Sequence, residues 1–300
     1  MLSRILVIAR ATVTQLIRMK VFWFLAPIAL LFLGLQFFDA FWYAGPEVSQ
    51  PQQELLMHKN LCLGTMMLFS ALFAIVSTAL LIPRDIEDRT LYTILSKPVP
   101  RLDYLIGKLL GVISVIFLSL LAMDVLMVVT LHFRTQSLLA EILPFFKNLG
   151  LEAELIEARL ADIRHHGPSW ELQGAVVAHF LKASVIASVA LLVSTFSTST
   201  IFTIATSVLI WIIGALQGIA RDVFFNDNGL ATDPSLAVKL LGTLLSLLFP
   251  DFQIFEALAD TAARAGGVDL LDFLKVTGFA FFYLGIYIIL SWFAFSDTEF

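Results

Sequence analysis

The sequence has few of the residues on which disulfide-rich proteins and metalloenzymes depend. Cys62 is the only cysteine among 300 residues, which excludes an intrachain disulfide and a cysteine-based metal cluster. The five histidines do not follow the H-E-x-x-H spacing of zinc proteases, and no serine lies in G-x-S-x-G. We therefore expect no metal site, and neither metalloprotease nor serine-hydrolase chemistry.

Charged residues are also scarce. They make up 14% of the chain, whereas 59% is hydrophobic, and the mean hydropathy is +0.89. A soluble globular protein has roughly 25% charged residues. The apolar runs have the length of membrane-spanning helices, about 20 residues, and do not alternate like barrel strands. The sequence predicts an all-α integral membrane protein with one transmembrane domain over residues 1–300.

Six apolar stretches are predicted to cross the membrane. They are residues 21–43, 61–82, 105–131, 176–195, 200–220 and 276–295. Residues 183–220 contain no charged side chain and are too long for one span, so a tight turn is predicted at 194–200.

The first 20 residues have the pattern of a basic amphipathic helix. Apolar residues recur at helical spacing, with three arginines elsewhere on the helix. The apolar set is Leu2, Ile5, Leu6, Ala9, Val13, Leu16 and Ile17, and the basic set is Arg4, Arg10 and Arg18. We predict that this helix lies at the cytoplasmic membrane interface.

The distribution of basic residues predicts the orientation. Segments 1–20 and 83–108 are short and basic, whereas acids outnumber bases in the long segments 132–182 and 221–275. By the positive-inside rule, both termini are then cytoplasmic, and 132–170 and 221–275 are extracytoplasmic helical segments. Within the second of these, residues 240–249 are apolar but too short to cross, which indicates a re-entrant or interfacial helix.

The segment 83–104 is a long polar interruption between two spans. It begins with alternating charges, continues with an apolar stripe at helical spacing, and ends at Pro98 and Pro100. The charged residues are Arg84, Asp85, Glu87, Asp88 and Arg89, and the apolar residues are Leu91, Ile94 and Leu95. This order predicts a short amphipathic helix that a soluble partner can bind.

The same segment carries a resemblance to a known family. Residues 86–101, IEDRTLYTILSKPVPR, followed by YLIGK at 104–108, resemble a motif of the permease subunits of ABC-2 class exporters, which are ATP-binding-cassette transporters. Residues 248–252, LFPDF, resemble that family's segment before the last helix more weakly. The layout of six spans, a basic amphipathic lead-in and a short tail is also similar.

This resemblance implies a transporter that works with other polypeptides. The chain would form a homodimer, or a heterodimer with a related permease, in a prokaryotic inner or plasma membrane, bound to two copies of a cytoplasmic ATPase. It contains no G-x-x-x-x-G-K-[ST] phosphate loop. We therefore expect no cofactor on this chain, with ATP and Mg²⁺ held by the ATPase, and no nucleic-acid partner. The resemblance makes 83–104 a coupling helix, with the eight residues named above contacting the ATPase. It also implies a non-catalytic subunit, with no catalytic residue on this chain, so the chain is predicted not to be an enzyme.

Three further residues are candidates for a role inside the membrane. Asp124 lies in the third span, where it is either part of a polar cavity or hydrogen-bonded to a neighbouring helix. Gly214 and Gly218 form G-x-x-x-G in the fifth span, which allows close helix packing between two copies or within one copy.

Two other functions fit the composition. An ATP-independent secondary transporter or channel would have internal repeats and several polar residues at mid-membrane, of which we identify only Asp124. A membrane scaffold would assemble partners through segments 132–170 and 221–275.

Overall fold

A computed structural model describes residues 2–35, 51–87, 100–148, 152–197, 199–225, 249–264 and 267–297. Within these ranges, every regular element is an α-helix. The helices are α1 (Leu2–Arg18), α2 (Lys20–Leu35), α3 (Pro51–Glu87), α4 (Arg101–Asn148), α5 (Ala153–His165), α6 (Leu172–Phe196), α7 (Thr200–Phe225), α8 (Gln253–Ala263) and α9 (Leu270–Asp297).

Five of the described helices are long and apolar enough to cross a membrane. They are α3, α4, α6, α7 and α9, and the bent pair of α1 and α2 raises the number to six if it is counted as one span. The chain is therefore an all-helical, multi-pass membrane protein. The first predicted span, 21–43, is not among the five, because the described α2 has only 16 residues and residues 36–43 lie outside the described ranges.

Several helices extend beyond the predicted spans. α3 begins at Pro51 and continues to Glu87, so residues 83–87 are its last turn and do not begin a separate helix. α4 begins at Arg101 and runs without a break to Asn148, well past the predicted end of the third span at 131. Residues 132–148 of the predicted segment 132–170 are thus a continuation of α4, and α5 (Ala153–His165) lies within the rest.

Helix α6 lies at the centre of the bundle. The most apolar window of α6 is 83% buried, whereas the corresponding windows of α7 and α9 are each 22% buried. Small residues repeat along α6, including the fully buried Ala187, Ser188 and Ala190. Small side chains allow neighbouring helices to approach closely. Such close packing is important in a membrane, where the hydrophobic effect does not drive helices together. The predicted turn after α6 is present, because α6 ends at Phe196 and α7 begins at Thr200.

Helix α1 packs along the beginning of α4. Ile5, Ala9 and Leu16 of the predicted apolar stripe are buried, but Leu2 and Leu6 are exposed. A Cβ added at Gly107 would lie 2.7 Å from Cβ of Ile8, and one at Gly111 would lie 2.5 Å from Cβ of Thr12. These two glycines therefore let α1 and α4 approach closely over two successive helical turns.

Helix α8 lies within the segment 221–275 and is packed into the helical bundle. Phe252, Phe255 and Ala262 are each at most 1% exposed. Pro250 and Phe252 lie against Gly214 of α7, and the Phe252 N–H donates to the Gly214 carbonyl over 3.2 Å. Gly214 is part of a candidate membrane span, so the residues at the start of α8 pack against that span. Residues 240–248, most of the predicted re-entrant piece, lie outside the described ranges.

Replacing Gly111 with alanine is expected to destabilise the protein by about 1–3 kcal/mol, because the new methyl group would overlap Thr12 in a packed interface. The matched control is Gly278→Ala, where nothing lies within 4 Å of the added Cβ. Alanine there is expected to stabilise α9 by up to about 1 kcal/mol through helix propensity. Thermal unfolding of both variants in detergent, followed by circular dichroism, measures the difference, and equal melting temperatures would contradict the α1–α4 packing.

Candidate functional site

Two described residues of the candidate coupling segment 83–104, Asp85 and Tyr104, belong to a buried polar cluster. Asp85, in the last turn of α3, is bonded to Lys108 of α4, with 2.6 Å between Nζ and Oδ2. The Tyr104 hydroxyl donates to the same carboxylate over 2.6 Å. Gln15 of α1 donates to Asp85 Oδ1 over 3.4 Å and accepts from Lys108 Nζ over 3.1 Å. We call these four residues the Asp85 cluster.

The Asp85 cluster joins three helices at one end of the bundle. The Asp85 and Lys108 side chains are each only 6% exposed, so each charge has little access to water. A buried charge is tolerated only when it is paired and hydrogen-bonded. The network therefore holds α1, the end of α3 and the start of α4 in one arrangement.

The C-terminal helix is attached to the same end of the bundle. The Arg101 guanidinium donates to the carbonyls of Phe295 and Ser296 over 2.6 and 2.8 Å. These carbonyls belong to the last turn of α9, which has no further intrahelical donors. The Tyr104 ring also stacks on Phe295, with 5.9 Å between ring centroids. Residues 88–99 thus connect α3 and α4 along the chain. At this end of the bundle α3 is bonded to α1 and α4, and α4 is also bonded to α9.

The structure describes only part of the predicted coupling set. Asp88, Arg89, Leu91, Ile94 and Leu95 lie outside the described residues, and the side chains of Arg84 and Glu87 are likewise not described. Asp85 is described, and it lies inside the protein's own polar cluster and not on a surface that a partner can reach. This differs from the exposed position that the sequence prediction required, because two neighbouring donors of α4 draw the carboxylate inward. The coupling role of the other seven residues stays a prediction.

A second polar region fixes α8 between three spanning helices. Lys182 of α6 is bonded to Glu256 of α8, with 2.5 Å between Nζ and Oε1. Lys59 of α3 donates to the Ala263 carbonyl at the end of α8 over 3.4 Å. At the start of α8, Gln253 donates to the Ala215 carbonyl of α7 over 3.3 Å. Helix α8 therefore has two polar attachments in its first turn and one at its end.

Both lysines of this region are almost fully enclosed by protein. Lys59 and Lys182 are each 1% exposed. Lys182 is the eleventh residue of α6, about 15 Å from its first residue at 1.5 Å per residue. Ionisable groups at such a depth are costly and usually mark a functional site or a structural pair. Sequence reasoning missed Lys182, although it lies inside the predicted span 176–195 and could have been noticed there.

Asp124 lies at the middle of the 48-residue α4, about four to five helical turns beyond Lys108 of the Asp85 cluster. It accepts a hydrogen bond from Gln173, the second residue of α6, over 3.1 Å. Of the two interpretations left open by the sequence, this contact favours hydrogen bonding to a neighbouring helix. Gln173 lies in the first turn of α6, so the contact joins the start of α6 to the middle of α4.

Gly214 and Gly218 serve a contact within one copy of the chain. The side chain of Gln253 occupies the space where Gly218 would carry a Cβ, and Phe252 does so at Gly214. The similar spacing of Gly107 and Gly111 was overlooked, although the same G-x-x-x-G signal was present in the sequence. Among the described residues, no group of three or more histidine, cysteine, aspartate or glutamate side chains could hold a metal ion.

The sequence matches none of the protein-family models and none of the curated proteins with which we compared it.

Replacing Lys108 with methionine is expected to cost about 3–5 kcal/mol, because the buried Asp85 charge loses its counter-ion. Adding Asp85→Asn is expected to recover part of this loss, since the neutral amide still accepts from Tyr104. The control is Lys275→Met, which removes an exposed pair with Asp272 and should cost no more than about 0.5 kcal/mol. Unfolding in detergent gives the double-mutant cycle, and a Lys108→Met variant as stable as Lys275→Met would contradict the network.

Proposed function

We propose that this chain is the membrane-spanning subunit of an ATP-driven exporter of the ABC-2 class. In this proposal it forms the substrate path as a dimer, while a separate cytoplasmic ATPase binds ATP and Mg²⁺. Both termini and residues 88–99 face the cytoplasm, and the membrane is a prokaryotic inner or plasma membrane. The motif at 86–108 and the multi-pass helical layout support the proposal.

The observation that carries the proposal is that both helices flanking residues 88–99 are bonded to other helices near that segment. On one side this segment leaves α3 just after Asp85, and on the other it enters α4 at Arg101. Asp85 is bonded to Lys108 and Gln15, and Arg101 is bonded to the last turn of α9. A partner that displaced the segment would therefore act on α1, α3, α4 and α9 together.

This arrangement suits a device that transmits force. Packed helices and enclosed polar networks move as rigid units between discrete arrangements, because their interiors do not deform continuously. Closure of an ATPase pair beneath residues 88–99 would shift the Asp85 cluster as one body. The path between the spanning helices would then open or close with the nucleotide state.

One observation favours the alternative of an ATP-independent transporter. The pair of Lys182 and Glu256 and the buried His179 lie among the spanning helices, whereas the sequence pointed to Asp124 alone. Polar groups at membrane depth are what a secondary transporter uses to bind substrate and coupling ions. Transport by the purified chain without ATP would favour this alternative over the exporter.

Reversing the charges at Glu87 and Asp88, by Glu87→Lys with Asp88→Lys, is expected to remove at least about nine-tenths of the ATPase that co-purifies with the tagged chain. The reason is that like charges brought into close contact repel each other, so the variant chain would bind the ATPase much more weakly. The co-purified protein would be identified by mass spectrometry and by a phosphate-loop sequence, and ATP hydrolysis would be measured in the same sample.

The matched control reverses two acids in another part of the chain, Glu152→Lys with Glu154→Lys. It is expected to retain the ATPase, since these residues adjoin α5 and are far along the sequence from 88–99. Retention of the ATPase and of its activity by both double variants, or the absence of any ATPase from the unmodified sample, would contradict the proposed function.

A further inference from the structure

A cavity of about 250 Å³ lies between α3, α6 and α8. Its polar lining comes from His179 of α6, Asn60 of α3, and Glu256 and Asp260 of α8. Its apolar lining includes Leu63, Met67 and Ala259. We call this space the His179 cavity. An engineered cavity of about 150 Å³ in another protein admits benzene, so this one has room for a polar group carrying a few carbons.

His179 lacks the partners that a buried imidazole needs. Its residue is 4% exposed, and within the described residues neither ring nitrogen has a hydrogen-bond partner. Leaving a buried polar atom unpaired costs about 1–3 kcal/mol. A neutral imidazole has one nitrogen that accepts and one that donates. A ligand that donates a hydrogen bond in the cavity would supply the partner for the accepting nitrogen.

The charges around the cavity select the sign of that ligand. Lys182 is bonded to one carboxylate oxygen of Glu256, so these two charges largely offset each other. Asp260 lies one helical turn further along α8 and is exposed, as is Asn60, so both lie at the mouth of the cavity. The lining carboxylates and Lys182 together carry two negative charges and one positive charge, with further acceptors on His179 and Asn60.

We propose that the His179 cavity binds a primary ammonium group with a short apolar chain. A primary ammonium has three N–H donors and no acceptor, which suits a lining rich in acceptors and negative by one charge. Its carbon chain would contact Leu63 and Met67. Charge-assisted hydrogen bonds to the Asp260 carboxylate would contribute most of the selectivity. The same group occurs in free alkylamines and in the ethanolamine headgroup of a lipid.

This inference does not rest on the proposed function, because the binding is measured on the purified chain without ATP or an ATPase. The chain is placed in nanodiscs of phosphatidylcholine, which has no primary ammonium, and titrated calorimetrically with propylammonium chloride. Saturable binding of one equivalent per chain is expected. Tetramethylammonium chloride has the charge but no N–H donor, and propanol has the chain but no charge, so both should bind at least about tenfold more weakly.

Two variants test the residues. Residue 260 is exposed, so Asp260→Asn should preserve the fold. This variant should bind propylammonium about tenfold or more weakly, the effect of losing one charge-assisted hydrogen bond. His179→Leu should weaken it to a similar extent. The matched control, Asp272→Asn, removes an exposed carboxylate on α9 that is bonded to Lys275 and should leave the affinity unchanged.

A second nanodisc composition separates the two sources of the ammonium group. If phosphatidylethanolamine in the disc competes with propylammonium, a lipid headgroup reaches the cavity, and if it does not, the ligand is a free amine. Either result supports the proposal. No saturable binding in phosphatidylcholine discs, equal binding of tetramethylammonium, or an unchanged affinity in Asp260→Asn would overturn it.

Discussion

The ion pair of Asp85 and Lys108 is the interaction on which one whole end of the bundle depends. Each side chain is 6% exposed. Neither charge could remain there alone, because burying an isolated ion costs more free energy than the packing of its side chain contributes. Tyr104 and Gln15 complete the shell of hydrogen bonds, and Gln15 brings α1 into it. The close approach of α1 at Gly107 and Gly111 puts Gln15 within reach. Helix packing and charge pairing thus require each other at this end.

A similar principle organises the region around α8. A helix packed into the helical bundle cannot satisfy its end groups with water, so other helices must supply partners. Lys59 bonds the carbonyl of Ala263 at the end of α8, and the Gln253 side chain at its start bonds the Ala215 carbonyl of α7. The pair of Lys182 and Glu256 also holds the first turn of α8. His179 differs from these residues, because within the described residues neither of its ring nitrogens has a hydrogen-bond partner. It lines the His179 cavity together with the carboxylates of Glu256 and Asp260.

The two polar regions lie at different places in the bundle and suit different tasks. The Asp85 cluster adjoins residues 88–99, where a soluble partner would act, and its contacts reach α1, α3 and α4. The His179 cavity lies between α3, α6 and α8. Helix α3 contributes to both, with Asp85 at one end and Asn60 towards the other. A displacement of α3 would therefore change the shape of the cavity.

The sequence alone determined the class of this protein and most of its helices. Apolar runs of membrane length and the scarcity of charge leave no other way to satisfy the backbone in a bilayer, and the turn at 194–200 follows from the length of the uncharged run. The tertiary structure decided the rest. Whether Asp85 faces a partner or Lys108 depends on which helix lies beside it, as does the choice between cavity and helix contact at Asp124. The burial of α8 and the pairing of Lys182 could not be predicted from the sequence. A segment with several charges has the composition of an external loop, and the partners of its charges are distant along the chain, so only the tertiary structure shows that they meet.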